Sequence, residues 1–151
     1  MSTDSPATAP PGARHLNPLA RIALVLAYAV LALAALGRSS FQISTKFADA
    51  PLPYSVSAVS AVLYAVIAIA LWRGANRVAL VGSSLELVGV VTVGILGYIE
   101  SSWWPDETVW TGFGSAYGWV PLLLPMLALW ALLRTRRRAG GSGVADSGTA
   151  R

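Results

Sequence analysis

Apolar residues along this chain arrive in long blocks rather than in the alternation of a half-buried strand or the one-sided periodicity of a surface helix. Three blocks stand out at once, residues 19–37, 54–72 and 78–98, and a fourth ends at Leu133. A helix rising about 1.5 Å per residue needs roughly 20 apolar residues to cross the hydrocarbon of a bilayer. The first three blocks meet that length. The fourth is shorter between Gly118 and Leu133 and contains Pro121 and Pro125, so the pattern predicts an earlier start and a helix over about 108–133. A proline inside a span removes a backbone hydrogen bond, which predicts a kink at Pro121/Pro125. Asp106 and Glu107, directly after Pro105, read as the acidic first turn of that helix. The fold expected is an all-α bundle of four transmembrane helices. Residues 1–18 and 134–151 are expected as tails, the first polar and disordered, the second basic and then disordered.

Composition strengthens this reading. Hydrophobic residues make up 55% of the 151 residues and charged residues only 12%, against the roughly 25% charged of soluble domains. The net charge of +4 and pI near 10.0 fit nucleic acid in principle, but the basic residues border apolar blocks and read as topology signals. With four crossings, Arg14, Arg21, Arg73, Arg77, Arg134, Arg136, Arg137 and Arg138 share one side, and Arg38 and Lys46 face the other. The excess of positive charge on cytoplasmic loops then places both termini in the cytoplasm. The opposite side is acidic and rich in Phe, Tyr and Trp, as an interfacial belt is. Ala32-Leu33-Ala34 has the form of a signal-cleavage box, but the block is long for a signal and the tail before it is not a short basic segment, so an uncleaved helix is expected. No internal repeat of the transporter kind is visible.

Several chemistries are excluded. The chain has no cysteine, hence no disulfide, thiol nucleophile, Cys-based metal site or quinone-linked disulfide exchange. Its one histidine, His15, lies in the polar tail, so no histidine cluster forms within one chain. No nucleophile and base occur together, and the expectation is a protein without enzymatic activity, cofactor or metal.

One ionisable residue stands out. Glu86 is the lone charge between Val78 and Ile99, about 12 Å from the basic end of its helix, and intramembrane carboxyls are functional candidates by default. Counted from the same end, Tyr28, Tyr64 and Pro125 fall at matching depth. The predicted polar layer is therefore Glu86 with Tyr28, Tyr64, Ser83 or Ser84, and the carbonyl of Pro121, whose usual donor is lost at Pro125. No arginine or lysine shares that depth, which favours the neutral, protonated carboxyl. Such a group either locks helices together or exchanges its proton in transport.

Gly82, Gly89, Gly94 and Gly97 on the third block, and Ser57, Ala61 and Ala65 on the second, allow close packing of helices, within the bundle or with a partner. Trp103, Trp104, Trp110 and Trp119 form an aromatic loop expected to anchor at the interface, with a ligand lid as the alternative. Arg134, Arg136, Arg137 and Arg138 are expected to fix topology and touch anionic lipid headgroups.

The stretches Gly82-Ser-Ser-Leu-Glu-Leu-Val-Gly-Val-Val-Thr-Val-Gly94 and Glu107-Thr-Val-Trp-Thr-Gly-Phe-Gly-Ser-Ala-Tyr-Gly-Trp-Val-Pro-Leu-Leu-Leu-Pro125 resemble segments of small four-helix integral membrane proteins of actinobacteria. The resemblance implies the four-helix architecture and a bacterial cytoplasmic membrane, and carries no activity. Small multidrug transporters are of similar size, but their essential glutamate lies in the first helix, where this chain has none. Two functions follow as expectations. The first is a non-enzymatic assembly or accessory component of the membrane whose outer aromatic loop or basic tail contacts a protein partner; the alternative is a small proton-coupled or cation transporter using Glu86, working as a homo-oligomer.

Overall fold

A computed structural model describes residues 16–141, so the tail at 1–15, with Arg14 and His15, and the tail beyond residue 141 lie outside it. There are four long helices, α1 (Pro18–Lys46), α2 (Pro51–Arg73), α3 (Asn76–Ile99) and α4 (Val120–Gly141), the first three joined by short links. Between α3 and α4 the chain forms two short 3-10 segments, Ser101–Trp103 and Thr111–Tyr117.

The helix ends follow local chemistry. Asn17 caps α1 by accepting a hydrogen bond from the backbone of Leu19 (3.0 Å), and Pro18 occupies the first turn, where its missing N–H costs nothing. The helix then runs past Gly37, where the apolar block ends, because nothing in Arg38–Lys46 breaks it. Ser39, Ser44 and Thr45 turn their hydroxyls onto the carbonyls of Ala35, Ser40 and Phe41, so the polar stretch satisfies itself along the helix. α2 stops at Gly74, whose φ of 73° is the left-handed turn that glycine adopts without penalty. Ala75 N–H closes that turn onto Ala70 (2.8 Å), and α3 begins at once.

Three helices are long and apolar enough to cross a membrane, and four if Thr111–Tyr117 and α4 count as one bent span. The bend between those two is 99°, so the expected kink is present. It falls just before the prolines, at Gly118 and Trp119, which both have left-handed backbone. Pro121 stands in the first turn of α4, where proline is tolerated, and only Pro125 lies inside the helix. Residues 108–119 are accordingly not the start of a continuous helix. At its other end α4 extends beyond Leu133 through the whole basic run to Gly141.

The helices pack in chain order, with α1 against α2, α2 against α3 and α3 against α4, and contact between α1 and α4 closes the ring. Tyr28, Tyr64, Ile67, Leu71, Val90 and Leu132 fill the centre. The outside is as apolar as the inside: Leu19, Ile22, Leu26, Val30 and Leu33 form one exposed stripe on α1, and α3 exposes Val78, Val81, Leu85 and Val88. A helix that is hydrophobic all round, in so small a bundle, fits a surrounding solvent of lipid.

Candidate functional site: a buried carboxyl beneath a broken span

Four helices can bury Glu86 only if other side chains meet its polar atoms. Its residue is fully buried, and Tyr28 from α1 donates its hydroxyl to Oε2 at 2.7 Å. Ser83, one turn before Glu86 on α3, lies 3.2 Å from the same hydroxyl. The other carboxyl oxygen, Oε1, is buried and accepts no hydrogen bond. Tyr64 from α2 stands beside Tyr28, with ring centroids 6.3 Å apart. The structure thus brings together Glu86, Tyr28, Tyr64 and Ser83.

Ser84 does not join them. One residue on, it has rotated by about 100° around the helix and returns its hydroxyl to the carbonyl of Leu80 (2.8 Å). Pro121 belongs to the start of α4, where its ring packs beside Gly114.

The residue that sequence reasoning placed elsewhere is Trp110. It is buried, not interfacial, and its indole N–H donates to the Tyr64 hydroxyl at 2.7 Å. The loop after α3 therefore dips into the bundle and reaches the tyrosine pair. Two features of the chain permit this. The first is space: an atom added at the Cβ position of Gly89 would lie 2.6 Å from the Trp110 ring, and one at Gly94 would lie 2.5 Å from the Phe113 ring. These glycines admit loop aromatics rather than a facing helix. The second is hydrogen bonding, because backbone outside regular helices is tolerated at membrane depth only where it is buried in protein with its polar groups met. Thr108 Oγ1 accepts from the backbone N–H groups of Trp110 and Thr111, each at 3.0 Å, and Thr111 Oγ1 accepts from Thr108 N–H at 2.9 Å. The Thr-x-x-Thr spacing was the sequence signal for this turn.

The loop is also fastened from outside. Arg38 on α1 donates to the carbonyl of Glu107 (2.6 Å), and Tyr54 on α2 donates to Asp106 Oδ2 (2.9 Å). The Tyr54 bond holds the Asp106 carboxyl below its ordinary range. Asp106 and Glu107 are thus clasps of the loop and not a helix N-terminus, because the backbone after them turns through Thr108 instead of winding into a helix. Phe113 and Trp119 sit at φ of 59° and 58°, a region that disfavours side-chain-bearing residues by about 1–2 kcal/mol each. Packing of the Phe113 ring against Gly94 and Tyr98 offsets that cost for Phe113.

The other tryptophans divide. Trp103 and Trp119 are exposed, as interfacial anchors are, and Trp104 is half-buried with its indole nitrogen enclosed and unbonded. At the basic end, Arg134 lies over the Trp130 ring, 5.0 Å from its centroid. Arg136 and Arg137 are exposed on the last turns of α4, and the side chain of Arg138 lies outside the described set. Among the described residues no three His, Cys, Asp or Glu side chains are grouped to hold a metal ion.

The chemistry available is narrow. A carboxyl with one donor, no cationic neighbour at its depth and a second oxygen without a bond can bind a proton and release it. Comparison with protein-family models finds no match, and comparisons with curated proteins and with solved structures find none either.

Proposed function

We propose that this protein is a non-enzymatic, polytopic component of the bacterial cytoplasmic membrane, with four crossings and both termini in the cytoplasm, acting as an assembly or accessory factor. The observation that carries the reading is that the polar residues at depth are bonded to one another within the chain. Tyr28 ties α1 to Glu86 on α3, and Tyr64 ties α2 to Trp110 of the loop. The buried carboxyl then works as a strut that fixes the bundle, leaving the acidic, aromatic end and the basic end to meet partners. The resemblance to small four-helix membrane proteins of actinobacteria supports the placement, as does the apolar exterior.

The test is affinity purification of the tagged chain from its native membrane in mild detergent, comparing wild type with Glu86→Gln. The same stoichiometric partner with both supports the assembly role, since glutamine also donates and accepts. Purification of the wild-type chain alone, or only as a self-oligomer, with Glu86→Gln equally well folded, sinks it.

One observation favours a second reading, a small proton-coupled or cation transporter. Glu86 Oε1 is buried without a bond, beneath a broken span of the kind that builds binding sites at membrane depth. Here Glu86→Gln abolishes coupled flux in proteoliposomes while Glu86→Asp retains part of it with an altered pH profile. Equal flux with wild type and Glu86→Gln ends that reading.

A further inference from the structure

The basic end of the α1–α2 hairpin holds a feature that the polar layer does not use. A cleft of about 320 Å³ opens between the first turns of α1 and the last turn of α2, lined by Leu16, Pro18, Ile22, Leu26 and Trp72 with Arg21 at its polar edge. That volume lies inside the roughly 300–1,000 Å³ range of small-molecule clefts. Ile22, Leu26 and Trp72 are more than half exposed, so the cleft opens outward along the apolar flank of the bundle rather than toward its centre.

Among the described residues of the lining Arg21 is the one charged group, and a hydrogen bond holds it in position. Its guanidinium donates to the backbone carbonyl of Trp72 at the end of α2, which otherwise lacks a helical partner. A guanidinium carries five N–H donors, so this bond leaves most of them for an anion. Among the described residues the surroundings lack a counter-charge. The acids among the described residues are Asp49, Glu100, Asp106 and Glu107 at the opposite end, and Glu86 at the centre of the bundle. Arg73 and Arg77 flank the same turn, which adds positive charge where the cleft meets the headgroup level.

We infer that this cleft is a binding site for one anionic glycerophospholipid, with its phosphate on Arg21 and one acyl chain along Ile22, Leu26 and Trp72. Charge complementarity selects the headgroup, and the apolar walls select a chain over a free phosphate. A planar guanidinium pairs with two phosphate oxygens at once, and its bond to Trp72 holds the fork in place before the lipid arrives. The inference rests on the placement of the bundle in a bilayer and not on the assembly role.

The experiment is native mass spectrometry of the full chain released from detergent with phosphatidylglycerol or phosphatidylcholine added at equal concentration. Wild type is expected to retain one phosphatidylglycerol about tenfold better than phosphatidylcholine. Arg21→Gln is expected to bring the two lipids to parity. Leu26→Trp, which fills the cleft while keeping the charge, is expected to lower retention of phosphatidylglycerol several-fold. Arg136→Gln with Arg137→Gln should leave the preference intact. Equal retention of both lipids by wild type, or undiminished phosphatidylglycerol on both Arg21→Gln and Leu26→Trp, overturns the site. Failure of wild type to retain any lipid also overturns it, and points to the chain's own N-terminal tail as the occupant. A chain that stays monodisperse in buffer without detergent refutes the bilayer placement separately.

Discussion

The two halves of the bundle solve one problem in opposite ways. In the α1–α2 half, two unbroken helices cover the full height, with nearly every backbone group bonded inside its own helix and with small residues such as Ala32, Ala35, Ser57 and Ala61 buried. In the α3–α4 half, α4 rises only about 21 Å from Arg134 to Val120, short of the roughly 30 Å of hydrocarbon. Ahead of it lies the loop from Thr108 to Trp119, whose Thr111–Tyr117 segment makes one bent span with α4 if the two are counted together, and whose backbone must be bonded by side chains. The hairpin is set by local helix chemistry, whereas the loop of the other half holds through its own Thr108–Thr111 bonds and through the helices around it: Gly89 and Gly94 for space, Tyr64, Tyr54 and Arg38 for bonds. The contrast is that an irregular loop can enter the bundle where a neighbouring helix gives up its side chains to receive it.

The contrast is broken most severely at the glycines. Gly94→Leu drives a side chain into the Phe113 ring and should destabilise the protein by about 3 kcal/mol, the upper range of overpacking. Gly37→Leu, where nothing lies within 4 Å, should change stability by less than about 0.5 kcal/mol. Thermal unfolding of the two variants in one detergent measures the difference. Equal midpoints would mean that the loop is not seated on α3.

Next in size is the link between the halves. Tyr28→Phe leaves Glu86 fully buried without a donor and should cost about 1–3 kcal/mol. Replacing both partners by apolar groups, Tyr28→Phe with Glu86→Leu, should recover much of that loss. A double variant whose loss equals the sum of the single losses would show that the two residues do not act as a pair.

The smallest effect is on the outer clasp. Because the Tyr54 bond lowers the Asp106 carboxyl in the folded state, its contribution is present above the ordinary value of 3.8 and is lost as pH falls through the lowered one. Tryptophan fluorescence should therefore show the loop loosening on the acid side of pH 4, and Tyr54→Phe should weaken that acid-dependent step. An unchanged acid limb in Tyr54→Phe would remove the clasp from the account.

Much of this was legible along the chain. Block lengths located α2 and α3 closely, and depth counting from the basic end put Tyr28, Tyr64 and Glu86 at one level, because a regular rise converts residue number into height. The same arithmetic left Ser83 and Ser84 as alternatives, since height says nothing about which way a side chain faces. It also ended α1 at Gly37, because hydropathy marks where lipid-compatible sequence stops and not where hydrogen bonding stops. Trp110 was the largest miss. Its place in an aromatic loop suggested an interface, and only the paired glycines on α3 and the Thr108–Thr111 turn hinted that the loop could enter the bundle.

Length and polarity are one-dimensional quantities, so the sequence by itself determined three helices long and apolar enough to cross a membrane, a bent helical stretch after them, the charge asymmetry between the two ends and the isolation of Glu86. Which hydroxyl meets that carboxyl, and that a tryptophan from a distant loop bonds the tyrosine beside it, were decided only by the tertiary structure. These contacts join residues 46 and 58 positions apart, and their geometry depends on how four helices rotate against one another to fill a shared centre.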